Sequence, residues 1–164
     1  MANLTRLLIT SELQRLARWL RLLGCDVTVY EGKPLAIYPN AFAEGRVIVT
    51  RNQHVRPSSL VRVIHLRGDG LRTQLKAITR VLKLPPSSTG LFARCGLCNT
   101  LLIEMPKPSV KGRVPPYVFQ TQTRFTNCPS CRRIYWSATH HDRAREFLQK
   151  TGVLTTRKRR AVRR

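Results

Sequence analysis

The chain has 164 residues, of which 42% are hydrophobic, so it can bury a core and is not disordered throughout. Its 30 Lys and Arg residues against 8 Asp and Glu give a formal net charge of +22, far above the magnitude of about 2 to 8 that suits solubility. No run approaches the roughly 18 apolar residues of a membrane span, and the first residues do not resemble a signal peptide. We therefore expect nucleic acid as the partner rather than a membrane surface or a small-molecule substrate.

The first half of the sequence alternates strands and helices. The stretch SELQRLARWLRLLG predicts a helix, with Ser11 and Gln14 as a capping box and Gly24 at its end. A later helix follows Asp69, an N-cap candidate. Residues 31–45 are ambiguous, because Pro34 and Pro39 limit any helix there to a short one. This alternation predicts a small parallel α/β sheet domain over residues 1–84. Its buried strands are predicted where Leu, Val and Ile are dense, at residues 4–10, 26–30, 46–50 and 61–66.

Four of the five cysteines form two CxxC knuckles, a pattern that predicts one structural zinc ion. The 29 residues between the knuckles exceed the usual spacing of roughly 15 to 20, so we expect a hairpin insertion. Two disulfides or a redox pair are the alternatives, and disulfides are disfavoured without a secretion signal. Four thiolates leave no open position for water, so this metal has no catalytic role. The predicted ligands are Cys95, Cys98, Cys128 and Cys131.

The second half of the sequence differs in composition, with cysteines, prolines and short predicted strands. A linker rich in Pro and Ser is predicted at residues 85–90, followed at 91–149 by a zinc ribbon of short β-hairpins with a closing helix. Residues 150–164 form a predicted basic tail, whose last eight residues include six Lys or Arg. Such a tail is solvated in free solution and lies along phosphates in a complex. Tyr135 and Trp136 either pack under the ribbon, the favoured alternative, or stack on an unpaired base.

Five stretches occur in a characteristic order: ELQRLARWLRLLGCDV, EGRVIVTRN, RCGLCNTLL, RVPPYVF and CPSCRRIYWSATHHDRAREFL. In this order they resemble the Mut-7 C-terminal ribonuclease family, a PIN-like α/β nuclease domain fused to a zinc ribbon. The resemblance covers about residues 4–149. It implies metal-dependent cleavage of RNA by acidic residues at the ends of strands.

The chain departs from the family pattern at the acidic positions. Thr10 stands near the place of the family's first Asp, and Asn52 stands where an acid follows Thr-Arg. A two-metal nuclease needs several carboxylates to hold Mg²⁺, so we predict a degenerate ribonuclease without catalytic residues. The alternative is an active ribonuclease with a rearranged site that uses Mg²⁺ or Mn²⁺ and consists of Asp69, Glu12 and Glu44.

The favoured function is therefore that of a non-catalytic RNA-binding protein. We expect it to be a structural component of a ribonucleoprotein particle, and the ribosome is the favoured particle. Its partners would then be rRNA and neighbouring ribosomal proteins. The expected compartment is the cytoplasm, although an organelle also suits the composition. A regulatory adaptor that binds nucleic acid is a further alternative. Because guanidinium groups grip phosphate with paired hydrogen bonds, the predicted RNA contacts are Arg15, Arg18, Arg21, Arg51, Arg56, Arg132, Arg133, Arg157, Lys158, Arg159, Arg160, Arg163 and Arg164.

Overall fold

The computed structural model describes residues 6–84, 90–136 and 139–154. Within them, the first half of the chain forms a four-stranded sheet in the order β2-β1-β3-β4, in which every pair of neighbours is parallel. Leu7 of β1 lies opposite both Val27 of β2 and Val47 of β3, which fixes the register of these three strands. The predicted α/β class is confirmed. The strands are β1 (Leu7–Thr10), β2 (Val27–Tyr30), β3 (Val47–Thr50) and β4 (Val63–His65).

Three helices accompany this sheet: α1 (Gln14–Leu22), α2 (Ile37–Ala43) and α3 (Leu71–Val81). The first helix begins later than predicted, because Ser11–Leu13 form a 3-10 turn and no side-chain hydrogen bond caps either segment. The predicted capping box is therefore not formed. The helix ends as expected at Gly24, which adopts a φ of +89° that a side chain would disfavour.

The sheet has a core on each face. Alternate residues of β1 point to opposite sides: Leu7 and Ile9 pack against α1 and α3, whereas Leu8 packs against α2. The apolar face of α1 supplies Leu16 and Leu20, both fully buried, as its spacing of three and four residues predicts.

The second half contains an antiparallel sheet in the order β5-β6-β7. Its strands are β5 (Ile103–Met105), β6 (Phe125–Asn127) and β7 (Ile134–Trp136). The segment between the two knuckles holds more than the expected hairpin, because a 3-10 turn, Lys107–Val110, and a short helix, α4 (Pro116–Thr121), lie between β5 and β6. A small core joins them, formed by Val110, Val114, Val118 and Phe125.

The closing helix, α5 (Thr139–Lys150), packs back onto the first half of the chain. Leu148, Val153 and Leu154 belong to the same core as α1 and α3, and the Trp19 and Phe147 rings lie 4.4 Å apart. The first part of the predicted 150–164 tail is thus helix and core, so an exposed tail can begin only beyond Leu154. The 85–90 linker falls almost wholly outside the described residues. None of the described helices is long and apolar enough to cross a membrane.

Candidate metal centre and nucleic-acid interface

The sulfur atoms of the four knuckle cysteines converge on one point. The Sγ atoms of Cys95, Cys98, Cys128 and Cys131 all lie within 4.8 Å of one another, with 3.3 Å between Cys98 and Cys128 and 3.7 Å between Cys95 and Cys131. These separations exceed the roughly 2.05 Å of a disulfide bond. In a tetrahedron with Zn–S bonds of about 2.3 Å the sulfurs lie about 3.8 Å apart. The cluster therefore fits one tetrahedrally coordinated metal ion and not a pair of disulfides.

The two knuckles have the same backbone. In each, the residue after the second cysteine takes a positive φ, 69° at Asn99 and 61° at Arg132. The amide of that residue donates to the carbonyl of the first cysteine, over 3.0 Å to Cys95 and 2.8 Å to Cys128. These matching turns hold each pair of sulfurs on one side of the chain, which is the geometry that shared coordination requires.

Tyr135 supports the metal centre from β7. Its hydroxyl lies 3.0 Å from Cys95 Sγ. Burial, together with the neighbouring Cys95, raises the pKa of Tyr135, so the phenol stays protonated and donates to the sulfur. Of the two alternatives for this side chain, the structure shows packing beneath the ribbon.

The first knuckle is bound to the α/β half by Arg21, which is 6% exposed. Its guanidinium donates to the carbonyls of Val27 at 2.9 Å, Gly96 at 3.2 Å and Leu97 at 2.6 Å. The prediction that Arg21 contacts RNA phosphate is therefore corrected: the side chain is buried, and its Nε and Nη1 atoms donate to carbonyls inside the protein. Burial lowers the pKa of Arg21, and the negative charges of Cys95 and Cys98 oppose that shift.

Asp26 is the centre of a second link, at the end of the sheet where its parallel strands begin; we call this end the amino edge. Its carboxylate accepts from Arg46 at 2.8 Å and from the Asn99 side chain at 2.8 Å, and Arg94 lies 3.7 Å away. Burial opposes the charge, but these hydrogen bonds and the two arginines lower the pKa of Asp26 overall. Glu44 binds the other side of the Arg46 guanidinium at 2.5 Å.

At the opposite end, where β1 and β3 finish, lies the carboxyl edge. Glu12 turns back from the 3-10 turn, and its Oε1 accepts from the Thr10 hydroxyl at 2.5 Å, the Thr50 hydroxyl at 3.2 Å and the Arg51 amide at 3.0 Å. Partial burial opposes the charge, but the three donors lower the pKa of Glu12 overall. Asn52 closes its own turn, its Oδ1 accepting from the His54 amide at 2.9 Å.

Asp69 also lies at the carboxyl edge, where its carboxylate pairs with the Arg51 guanidinium. The N-cap of α3 is Gly70, and no side chain caps this helix, so the predicted N-cap role of Asp69 is wrong. The pair is exposed, with 85% of the Asp69 side chain open to solvent.

The three acids of the rearranged nuclease site are not brought together. Glu12 and Asp69 flank Arg51 at the carboxyl edge, whereas Glu44 precedes β3 at the amino edge. Four strand residues at about 3.3 Å each separate these ends. Within residues 6–84, 90–136 and 139–154, the cysteine quartet is the only group of three or more His, Cys, Asp or Glu side chains placed to share an ion.

A parallel sheet followed by a four-cysteine ribbon is the architecture that the sequence resemblance implied, and the family model for the Mut7-C RNAse domain matches residues 5–148. The chain belongs to the Mut7-C RNAse domain family. No curated protein and no solved structure matches it. The family supports a nucleic-acid-related function for this Mut7-C chain.

Of the seven predicted phosphate contacts that fall in the described residues, five lie on the surface of the Mut7-C domain. Arg15 and Arg18 are exposed on α1, Arg56 follows β3, and Arg132 and Arg133 lie on the second knuckle. Arg51 is half-buried and paired with Asp69. The predicted contacts in the tail fall outside the described residues, namely Arg157, Lys158, Arg159, Arg160, Arg163 and Arg164.

Sequence reasoning missed the residues that join the ribbon to the sheet. Asn99 donates to Asp26 and accepts from the Val27 amide at 2.9 Å, and Arg94 donates to the Gly24 carbonyl at 3.2 Å. The sequence feature that could have indicated this role is their position beside the first knuckle, because residues next to metal ligands often make the hydrogen bonds that hold the site in place.

Proposed function

We propose that this protein binds RNA without cleaving it. The observation that supports this most directly is the carboxyl edge, where Glu12 Oε1 is occupied by three donors of the protein and Asp69 is paired with Arg51. Hydrolysis by two Mg²⁺ ions needs several carboxylates with free oxygens. The guanidinium at this edge also disfavours a second cation by like-charge repulsion.

The charge of the chain and its exposed arginines suit phosphate. The charge of +22 attracts polyanions over a long range, and the exposed arginines offer paired donors for phosphate oxygens. Such contacts fix the position of an RNA rather than read its sequence. We further propose that one zinc ion occupies the four cysteines and acts structurally, since all four positions of a tetrahedron are filled by sulfur.

The particle we propose is a stable ribonucleoprotein, with the ribosome as the first to test, in the cytoplasm or in an organelle. This step rests on composition: a strongly basic chain with a four-cysteine ribbon and a basic segment at residues 157–164. In that setting the neighbours would be rRNA and ribosomal proteins.

Sedimentation of the tagged protein from native lysate through sucrose gradients tests this function, at low and then at high salt. Co-migration with one ribosomal subunit that survives high salt is the expected result. Release to the top of the gradient at moderate salt would overturn the proposal of a permanent component, since exposed phosphate contacts alone weaken steeply with salt.

A cleavage assay tests the absence of catalysis. Purified protein is incubated with single-stranded and structured RNA in Mg²⁺ and in Mn²⁺, and the Glu12→Gln variant serves as the matched control. We expect equal background degradation by both proteins. Metal-dependent cleavage that the variant lacks would establish an active ribonuclease instead.

A further inference from the structure

Helix α3 carries a row of cations that the site above does not include. Arg72, Lys76 and Arg80 recur every four residues and are all exposed, so they follow one another along the helix at steps of about 6 Å. The helix sequence LRTQLKAITRV contains no acid. Its opposite face is anchored in the core by Leu75 and Ile78, which keeps the row pointed outward.

The row borders a groove between α3 and the end of α5. The groove has a volume of about 500 Å³, and its cationic walls are Lys76 and Arg80 on one side and Lys150 on the other. One turn earlier on α3, the Arg72 guanidinium lies over the Phe147 ring of α5, 5.4 Å from its centroid. This cation–π contact keeps α3 and α5 close together beside the groove.

The charge of this groove is poorly balanced. In the described part of the chain, no ion pair joins Lys76 or Arg80 to an acid. The facing helix contributes Glu146, and that carboxylate is paired with Lys150 at 2.6 Å. Cations that stand in a concave surface without counter-charges concentrate anions there.

From this arrangement we infer that the groove between α3 and α5 binds the sugar-phosphate backbone of RNA. The inference rests on the proposed function and adds a site to it. Arg72, Lys76 and Arg80 contact successive phosphates, and Lys150 contacts the strand from the opposite wall.

Fluorescence anisotropy with a labelled single-stranded RNA tests the groove. The variant Lys76→Gln/Arg80→Gln removes two charges and keeps good helix formers. The matched control Lys111→Gln/Arg113→Gln removes two exposed charges from the ribbon. We expect the groove variant to bind on the order of tenfold more weakly and its salt dependence to fall by about 1.4 log units per log unit, or 0.7 per contact. The control should change less than about twofold.

Protection of lysines from an acylating reagent supplies a second readout that needs no variant. In the wild-type chain, RNA should protect Lys76 and Lys150, while Lys33 and Lys111 remain reactive. If the wild type binds RNA but groove and control variants weaken equally and Lys76 stays reactive, the groove is not the site, and the proposed function stands. If the wild type does not bind RNA at physiological salt, the proposed function fails and the groove fails with it.

Discussion

The two ends of the parallel sheet use the same kinds of residue for different purposes. At the amino edge, Asp26 and Arg46 are largely buried and tie the sheet to the first knuckle through Asn99. At the carboxyl edge, Glu12, Arg51 and Asp69 lie nearer the solvent, and their hydrogen bonds and ion pair join strand ends to the neighbouring loops. Removing one partner of a buried ion pair strongly destabilises the fold, whereas an exposed ion pair contributes little to stability. The comparison indicates that stability depends more on the amino edge than on the carboxyl edge.

The largest effect is expected from the metal centre, on which the amino edge depends. Cys128→Ser removes one of four ligands, and structural zinc sites contribute about 10 kcal/mol or more of apparent binding free energy at neutral pH. We expect loss of the single metal equivalent and a much lower melting temperature, measured by elemental analysis and thermal unfolding.

The control for that experiment is Cys25→Ala, at the fifth cysteine. Burial raises the pKa of Cys25 to about 11, and the residue lies in the sheet core rather than at the cluster. The variant should keep one equivalent of metal. Equal metal loss in both variants would contradict the four-cysteine assignment.

Asp26→Asn breaks the amino edge itself. Removal of one partner leaves Arg46 without its main counter-charge, so the free energy of unfolding should fall by about 3 kcal/mol in urea titrations. Glu31→Gln removes an exposed carboxylate at the other end of β2 and should leave stability unchanged. An equal response of the two variants would mean that the link to the ribbon is not stabilising.

The pH dependence of the free energy of unfolding tests the contribution of Asp26 in a second way. Its pKa in the folded state lies below the ordinary 3.8, so the unfolded chain binds the proton more readily. The stabilisation is complete above pH 3.8 and is lost as the pH falls through the folded pKa. We therefore expect wild type and Asp26→Asn to differ in urea stability at pH 7 and to converge as the pH falls below the folded pKa of Asp26.

A smaller effect is expected at Glu12 on the carboxyl edge. Glu12→Gln weakens three charge-assisted hydrogen bonds at a partly exposed site, with a loss of about 1 to 2 kcal/mol. Glu104→Gln removes an exposed carboxylate of the ribbon and serves as the comparison. A loss that equals that of Asp26→Asn would erase the distinction between the two edges.

The smallest effect is expected for Asp69→Asn. The Arg51–Asp69 pair is exposed, so its removal should change stability by less than about 0.5 kcal/mol. The variant frees the Arg51 guanidinium and should bind RNA slightly more tightly in the anisotropy assay. A stability loss above about 1 kcal/mol would indicate that Asp69 supports the start of α3 after all.

The sequence predicted the parts of the structure that depend on local pattern. The four strands and the cysteine cluster follow from apolar density and from the CxxC spacing, both of which act over a few residues. The role of Arg21 does not. A step of three residues turns about 300° around a helix, so Arg21 lies about 120° from Arg15 and faces inward. What it meets there is a knuckle more than seventy residues further along, and no local pattern encodes that contact.

The hydrogen bonds of Glu12 to the ends of β1 and β3 could not be predicted from the sequence either. It depends on a 3-10 turn that replaces the first turn of the predicted helix and on the hydroxyl of Thr50 in another strand. The positions of Arg21 and Glu12 depend on tertiary contacts of single residues, whereas the sequence pattern predicts only the helices and strands that carry them.

The place of α5 in the first core bears on how the chain is synthesised. Leu7 and Leu154 belong to the same cluster although they lie far apart in sequence, so part of the apolar face of the sheet stays uncovered until the segment around Leu154 has emerged. Contacts between such distant segments slow folding, because a long loop must close before they form. During that interval the Leu-rich face is exposed to other unfinished chains. Truncation before Leu148 should therefore yield an aggregation-prone product rather than a shorter soluble domain.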